Sequence, residues 1–177
     1  MMGYSSLTPM DVPGWRIIAA SDFDGDGHPD LVWQNETTRQ ASIWYMAGAQ
    51  GDLWIGSGWL SETAVPGWRL VAIADVNDDG QPDAVWQDDA TRQVSVWYLG
   101  GVDGTTFAGW TWLSASPVPG WRVVGVDDFN GDRTLDLVWQ NDADRSASVW
   151  FMGGPQGTAL QGFAMLTTFN VSGWMLR

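Results

Sequence analysis

Val12-Pro13-Gly14-Trp15-Arg16 returns as Val65-Pro66-Gly67-Trp68-Arg69 and again as Val118-Pro119-Gly120-Trp121-Arg122, 53 residues apart each time. Trp33, Trp86 and Trp139 keep the spacing, as do Trp44, Trp97 and Trp150, so no insertion or deletion separates the copies. A period of this kind means stacked units, each too small to bury its own apolar face and each completed by its neighbour. The units run approximately over residues 12–64, 65–117 and 118–170 of one continuous segment, 1–177. The register continues at both ends. Ser5-Ser6-Leu7-Thr8 aligns with Gly58-Trp59-Leu60-Ser61, which predicts an extra strand at residues 4–9, and Ser172-Gly173-Trp174 opens a partial fourth copy at 171–177.

Working outward within one copy, four strands are expected: Trp15 to Ala20, Asp30 to Gln34, Ala41 to Met46, and a fourth near Leu53 to Leu60. β-branched and aromatic residues dominate the second and third, and the stretches between them are Asp/Gly, Asn and Gly-rich turns. No window holds a 3.6-residue apolar period. Apolar residues fall on adjacent positions in the first and third strands, as expected where neighbouring sheets cover both faces. Four short strands per repeat is the arithmetic of a β-propeller blade, so the expected fold is all-β, with three four-stranded antiparallel blades.

Composition narrows the chemistry. The chain has 177 residues with 14 Trp, 22 Gly and no Cys. Every basic residue is Arg, and only Glu36 and Glu62 among the acids are Glu. Asp is a turn residue and a compact oxygen ligand, whereas Glu favours helices. A net charge of -13 makes nucleic acid an unfitting partner and a bound cation a welcome one. The absence of Cys excludes disulfides and thiolate metal sites. No apolar run approaches the length of a membrane helix, so no membrane insertion is expected. The opening MMGYSSLTPM has neither a basic start nor an apolar stretch, which does not read as a signal peptide and leaves a cytoplasmic protein or a mature segment behind a start Met.

The loop after the first strand carries the candidate chemistry. It reads Asp22-Phe23-Asp24-Gly25-Asp26-Gly27-His28-Pro29-Asp30, then Asp75-Val76-Asn77-Asp78-Asp79-Gly80-Gln81-Pro82-Asp83, then Asp128-Phe129-Asn130-Gly131-Asp132-Arg133-Thr134-Leu135-Asp136. Oxygen side chains recur at positions one, three, five and nine. A hard cation such as Ca2+ takes six to eight oxygens, and alternate Asp/Asn side chains with one backbone carbonyl at position seven suit it. An EF-hand would close with Glu at position twelve between helices, but position twelve here is Trp33, Trp86 or Trp139 inside a strand. Asp-Gly and Asn-Gly also make metal-free hairpin turns, which is the competing reading. Arg133 stands where Gly27 and Gly80 serve the sharp turn, so the third loop is expected to be the weakest site.

An Asp-x-Asp/Asn-x-Asp-Gly-x-x-Asp loop running straight into a Leu-Val-Trp strand resembles the FG-GAP/VCBS propeller repeats of integrin α heads, secreted bacterial proteins and some lectins. The resemblance implies a calcium ion in each hairpin, a propeller fold, an extracellular or cell-surface setting and ligand binding between blades or on one ring face. Carried over residue by residue, the metal ligands are Asp22, Asp24, Asp26, Asp30, Asp75, Asn77, Asp79, Asp83, Asp128, Asn130, Asp132 and Asp136, with His28, Gln81 and Thr134 contributing backbone oxygen.

The remaining residues set a binding reading against a packing one. Trp33, Trp44 and their repeats fall within strands and read as core between blades, whereas Trp54, Trp59, Trp110 and Trp112 fall near the outer strand and are candidate platforms for sugar rings. Met165 takes the third copy's place for Trp59. Arg39, Arg92 and Arg145 are candidates to grip a sugar or an acid, or to pair with a neighbouring Asp, and Arg16, Arg69 and Arg122 read as inter-blade pairing. No Ser, His and Asp set or spare carboxylate pair supports catalysis. The expected function is a calcium-stabilised module binding carbohydrate, the alternative an adhesive or scaffolding module binding a surface protein. Three blades cannot close a ring, so either this is a piece of a longer protein or several chains close it together; a homo-oligomer is expected, a dimer first and a trimer second.

Overall fold

The computed structural model describes residues 11–166. It is all-β, with twelve strands in three four-stranded antiparallel sheets, each in sequence order. The first sheet comprises β1 (Trp15–Ser21), β2 (Asp30–Asn35), β3 (Ala41–Ala47) and β4 (Leu53–Trp59). The second comprises β5 (Trp68–Ala74), β6 (Asp83–Asp88), β7 (Val94–Gly100) and β8 (Thr106–Ser114). The third comprises β9 (Trp121–Asp127), β10 (Asp136–Asn141), β11 (Ala147–Gly153) and β12 (Ala159–Met165). The expected strands are all present, the first three in each sheet extended by a residue and the fourth ending at its Trp in the first sheet. The strand expected at 4–9 and the partial repeat at 171–177 lie outside the described residues.

Two irregularities recur at equivalent places in every sheet, and the second sheet adds a third at Val94/Ser95. The register slips between Ile17 and Ala19, Leu70 and Ala72, and at the matching point of β9, and again in the outer pair at Tyr45/Met46, Tyr98/Leu99 and Phe151/Met152. Bulges of this kind raise local twist, which splays the outer strands of stacked sheets.

The sheets pack face to face, and the cores lie between them. Val32 and Ile43 of the first sheet meet Leu70, Trp86 and Leu99 of the second, and Val85, Val96 and Leu113 of the second meet Val123, Leu137, Trp139 and Met152 of the third. In the second sheet neighbours cover both faces, which explains the near-continuous apolar run Ala84-Val85-Trp86 of its buried central strand. The innermost strands adjoin, β1 beside β5 and β5 beside β9, and together line a cavity of about 290 Å³. The described residues form an open, propeller-like stack rather than a closed ring.

Between sheets, the buried Gln34 side chain reaches from β2 into the next sheet, donating to the Trp68 carbonyl (3.3 Å) and accepting from the Leu70 N–H (3.2 Å). Gln87 repeats this on Trp121 (3.4 Å) and Val123 (3.1 Å). Asp89 accepts from Arg39 of the preceding sheet (3.2 Å) and Arg69 of its own unit (2.8 Å), and Asp142 does the same with Arg92 (3.0 Å) and Arg122 (3.1 Å). The pairing expected of Arg69 and Arg122 is therefore made within their own repeat, and the carboxylate they hold is what crosses to the neighbouring sheet.

Candidate metal loops and aromatic clefts

The three Asp-rich loops join the first and second strands of each sheet and follow one wiring plan. Asp22 turns both oxygens back into its loop, accepting from the Gly25 N–H (2.7 Å) and the Gly27 N–H (2.9 Å), while Asp24 and Asp26 accept from the N–H two residues on, at 3.1 and 2.7 Å. Asp75 accepts from Asp79 and Gly80, and Asp128 from Gly131, Asp132 and Arg133. The backbone N–H of His28, Gln81 and Thr134 donates to the carboxylate at position five. In the third loop Arg133 adopts φ 71°, close to the 88° and 86° of Gly27 and Gly80, and its N–H meets Asp128 at 2.9 Å. The wrap survives the missing glycine, and the cost is a side chain held in left-handed backbone.

Position nine differs from the others. Asp30, Asp83 and Asp136 are fully buried. Each spends one oxygen on the N–H of position two (Phe23, Val76, Phe129) and the other on an N–H of the third strand (Met46, Leu99, Met152), all at 2.9–3.0 Å. These carboxylates rivet the loop to the middle of the sheet. Burial pushes the Asp83 carboxyl up to about 6 and raises that of Asp30, in both cases against the two backbone donors that pull it down.

Oxygens of Asp22, Asp24 and Asp30 lie within 4.8 Å of one another. Each accepts backbone hydrogen bonds yet keeps lone pairs free, and no cationic side chain is paired with them among the described residues. An all-oxygen donor set with a buried, uncompensated carboxylate fits a hard divalent cation, and Asn77 and Asn130 supply amide oxygen at position three of the other loops. Asp22, Asp24 and Asp30 are the residues that would hold such an ion; Asp26 lies outside this group, and the other two loops form no group of three acids among the described residues. The ion's contribution would be to neutralise the loop and pin the hairpin.

A second repeated feature lies on the sheet faces. Val65, Trp68, Trp86, Ser95, Trp97, Phe107, Trp110 and Trp112 line a cleft of about 340 Å³ in the second sheet. The first sheet repeats it with Val12, Trp15, Trp33, Ser42, Trp44, Ser57 and Trp59 around about 220 Å³. Ring pairs hold the walls: Trp86–Trp97 at 4.9 Å, Trp68–Trp112 at 6.0 Å and Trp110–Trp112 edge to face at 5.4 Å. As expected, Trp33, Trp86 and Trp139 are core residues, and Trp54, Trp59 and Trp110 are exposed, with Trp112 half-buried. Trp54 packs against Trp44 but does not line the first cleft. The indole N–H groups of Trp33, Trp86 and Trp139 are buried with no partner among the described residues.

Arg39 and Arg92 are engaged with Asp89 and Asp142, which favours the pairing reading for them, whereas Arg145 makes no ion pair among the described residues. The linking role of Asp89, Asp142, Gln34 and Gln87 was not foreseen. Its only sequence trace is the recurrence of Gln two places before the acid at 34/36, 87/89 and 140/142.

Residues 22–86, from the opening Asp of the first loop to the Trp that closes the second, match the FG-GAP-like repeat family model. Comparison with curated proteins and with solved structures finds no match. No helix is long and apolar enough to cross a membrane.

Proposed function

We propose, from the FG-GAP-like repeat carried by residues 22–86, that this chain is a propeller-like binding module whose hairpin loops hold calcium and whose aromatic clefts take carbohydrate. Repeats of this family serve as interaction modules rather than enzymes, and their usual extracellular or cell-surface setting supplies the calcium the loops would use. The observation that carries the carbohydrate reading is the cleft of Trp68, Trp86, Trp97, Trp110 and Trp112. Several indole faces converge on a space of about 340 Å³, with Ser95 beside them. Sugar C–H faces stack on indole while hydroxyls seek such polar groups. The same cleft in the first sheet provides a second, lower-volume site, so avidity follows if both are filled.

The test is glycan-array screening of calcium-loaded protein, followed by calorimetry on any hit with wild type and Trp110→Ala. Binding weakened about tenfold or more by the substitution supports the reading, since loss of one stacked ring costs about 1–2 kcal/mol. Binding that is indifferent to Trp110, or no glycan hit at all, refutes it.

A second reading, a module binding a surface protein, is favoured by the outer strands. Leu53 and Ile55 of β4, Phe107 of β8, and Leu160 and Phe163 of β12 are exposed on edge strands whose outer backbone groups are unpaired in the described structure. An apolar edge is a template for an added strand or a docked partner.

A further inference from the structure

Two sheet-to-sheet interfaces lie within the chain, and they are built alike. Each uses an Arg of the leading sheet on an acid of the following one and a Gln bridge to the next innermost strand. In each, the position-two loop residue is covered by a glycine-containing turn: a Cβ on Gly104 would lie 3.0 Å from the Phe23 carbonyl, and one on Gly157 3.0 Å from that of Val76. The rims of the two ends carry separated halves of the same interface, while the middles of those faces, Leu31, Trp33 and Met46 at one end and Val138, Ala147 and Val149 at the other, are already buried.

At the trailing end, Phe129 is 51% exposed where Phe23 is 2% and Val76 7%, and Leu166 is 49% exposed where Leu60 is 7% and Leu113 6%. Arg145, the counterpart of Arg39 and Arg92, faces no acid among the described residues. At the leading end, Ile17 is 45% exposed where Leu70 is 1% and Val123 5%. Glu36 occupies the place of Asp89 and Asp142 beside Arg16, and neither forms an ion pair among the described residues. Gly51 stands where Gly104 and Gly157 close over the preceding loop, and a Cβ there would meet only His28 of its own unit.

We propose that these two ends fit each other head to tail and that a second copy of this chain fills both at once. Arg145 of one copy meets Glu36 of the other beside Arg16, Phe129 lies under the turn at Gly51, and Ile17 and Leu166 leave water. Charge selects the occupant: the trailing end offers an unpaired cation, the leading end an acid with one flanking arginine already in place, the arrangement each internal interface uses. Two copies bring six sheets together, within the four to eight that close a propeller, whereas three copies bring nine. A head-to-tail contact that closes on itself this way leaves no end exposed, in contrast to one that grows into a filament. The proposal does not depend on what the aromatic clefts bind.

The experiment is native mass spectrometry and sedimentation velocity on the full chain in calcium buffer, with Arg145→Glu and Glu36→Arg made separately. Wild type should be a dimer at micromolar concentration, and each variant alone should dissociate with a constant raised about tenfold or more, since both contacts of the ring then oppose like charges. Glu36 is exposed and Arg145 half-buried, and unchanged circular dichroism checks the fold of both variants. Mixing the two variants is the decisive arm. The heterodimer regains one contact in native form and the other with its charges exchanged, so it should form while neither homodimer does. A monomeric or trimeric wild type, single variants that dimerise as wild type does, or a mixture without heterodimer each overturn the proposal.

Discussion

Gln34→Ala removes the bridge between the first two sheets, and its cost can be worked from the bonds it breaks. The Gln34 side chain satisfies the Leu70 N–H and the Trp68 carbonyl in the next sheet and the Arg39 carbonyl in its own turn, at 3.2, 3.3 and 3.1 Å. Leu70 is buried, so its N–H gains no water in exchange. An orphaned buried backbone group costs about 1–3 kcal/mol, and the carbonyls, with a second lone pair and partial access to solvent, sit at the low end. The expected loss is about 2–4 kcal/mol, and Gln87→Ala should match it because its bonds to Trp121 and Val123 repeat the pattern. Gln140 is the internal control. Among the described residues its side chain bonds only Arg145 and Arg122 of its own sheet, and Arg122 keeps Asp142, so Gln140→Ala should cost about 1 kcal/mol. Urea unfolding followed by Trp fluorescence reads these differences, best in an Arg145→Glu background so that chain association does not add to them. Equal losses at all three positions, or a loss below about 1 kcal/mol at Gln34, would refute the view that these amides couple neighbouring sheets.

Asp89→Ala removes two ion pairs whose side chains are each about a quarter to a third exposed, and solvent screening holds the expected loss to about 1 kcal/mol, below that of Gln34→Ala in the same assay. Gly104→Ala adds a Cβ that would sit 2.6 Å from the Phe23 ring in left-handed backbone, so it should destabilise by about 3 kcal/mol. Gly51→Ala, with similar φ but no neighbouring unit to meet, should cost about 1 kcal/mol in the monomer. In chelator, the raised Asp83 carboxyl makes stability highest below its unfolded value of 3.8 and lowest above about 6, so thermal unfolding should fall to lower temperature as pH rises through that window. Asp83→Asn should flatten this slope, and saturating calcium should reverse it, because an ion favours the ionised carboxylate. An Asn variant with an undiminished slope assigns the effect to other groups.

Much of this architecture was legible because the copies check one another. A single Trp or Asp-Gly pair says little, but Trp33, Trp86 and Trp139 in one register identify a central strand, and the alternating oxygens before them identify a hairpin loop. What stayed hidden is contact between units. Asp89 and Asp142 look like turn residues, and only three-dimensional placement shows that each takes one arginine from its own sheet and one from the sheet before. Burial at position nine was equally invisible: Asp30 resembles its neighbours Asp24 and Asp26 in the sequence, yet it alone of the three is fully enclosed and tied to β3. The clefts were legible in part, through Trp59, Trp110 and Trp112, but a strand pattern tells which residues share a face and not where two twisted faces part.

The bonds that join one sheet to the next all run between immediate neighbours, Gln34 to β5 and Gln87 to β9. Energetically the molecule is thus a short row of coupled units, in which stability is the sum of what each sheet contributes alone and what each junction adds. The middle sheet has two junctions and the outer sheets one, so its amides should be the last to exchange with solvent, and unfolding should advance from the ends inward. Closing the row on a second copy would abolish that gradient, since every sheet would then hold two neighbours and none would be first to open.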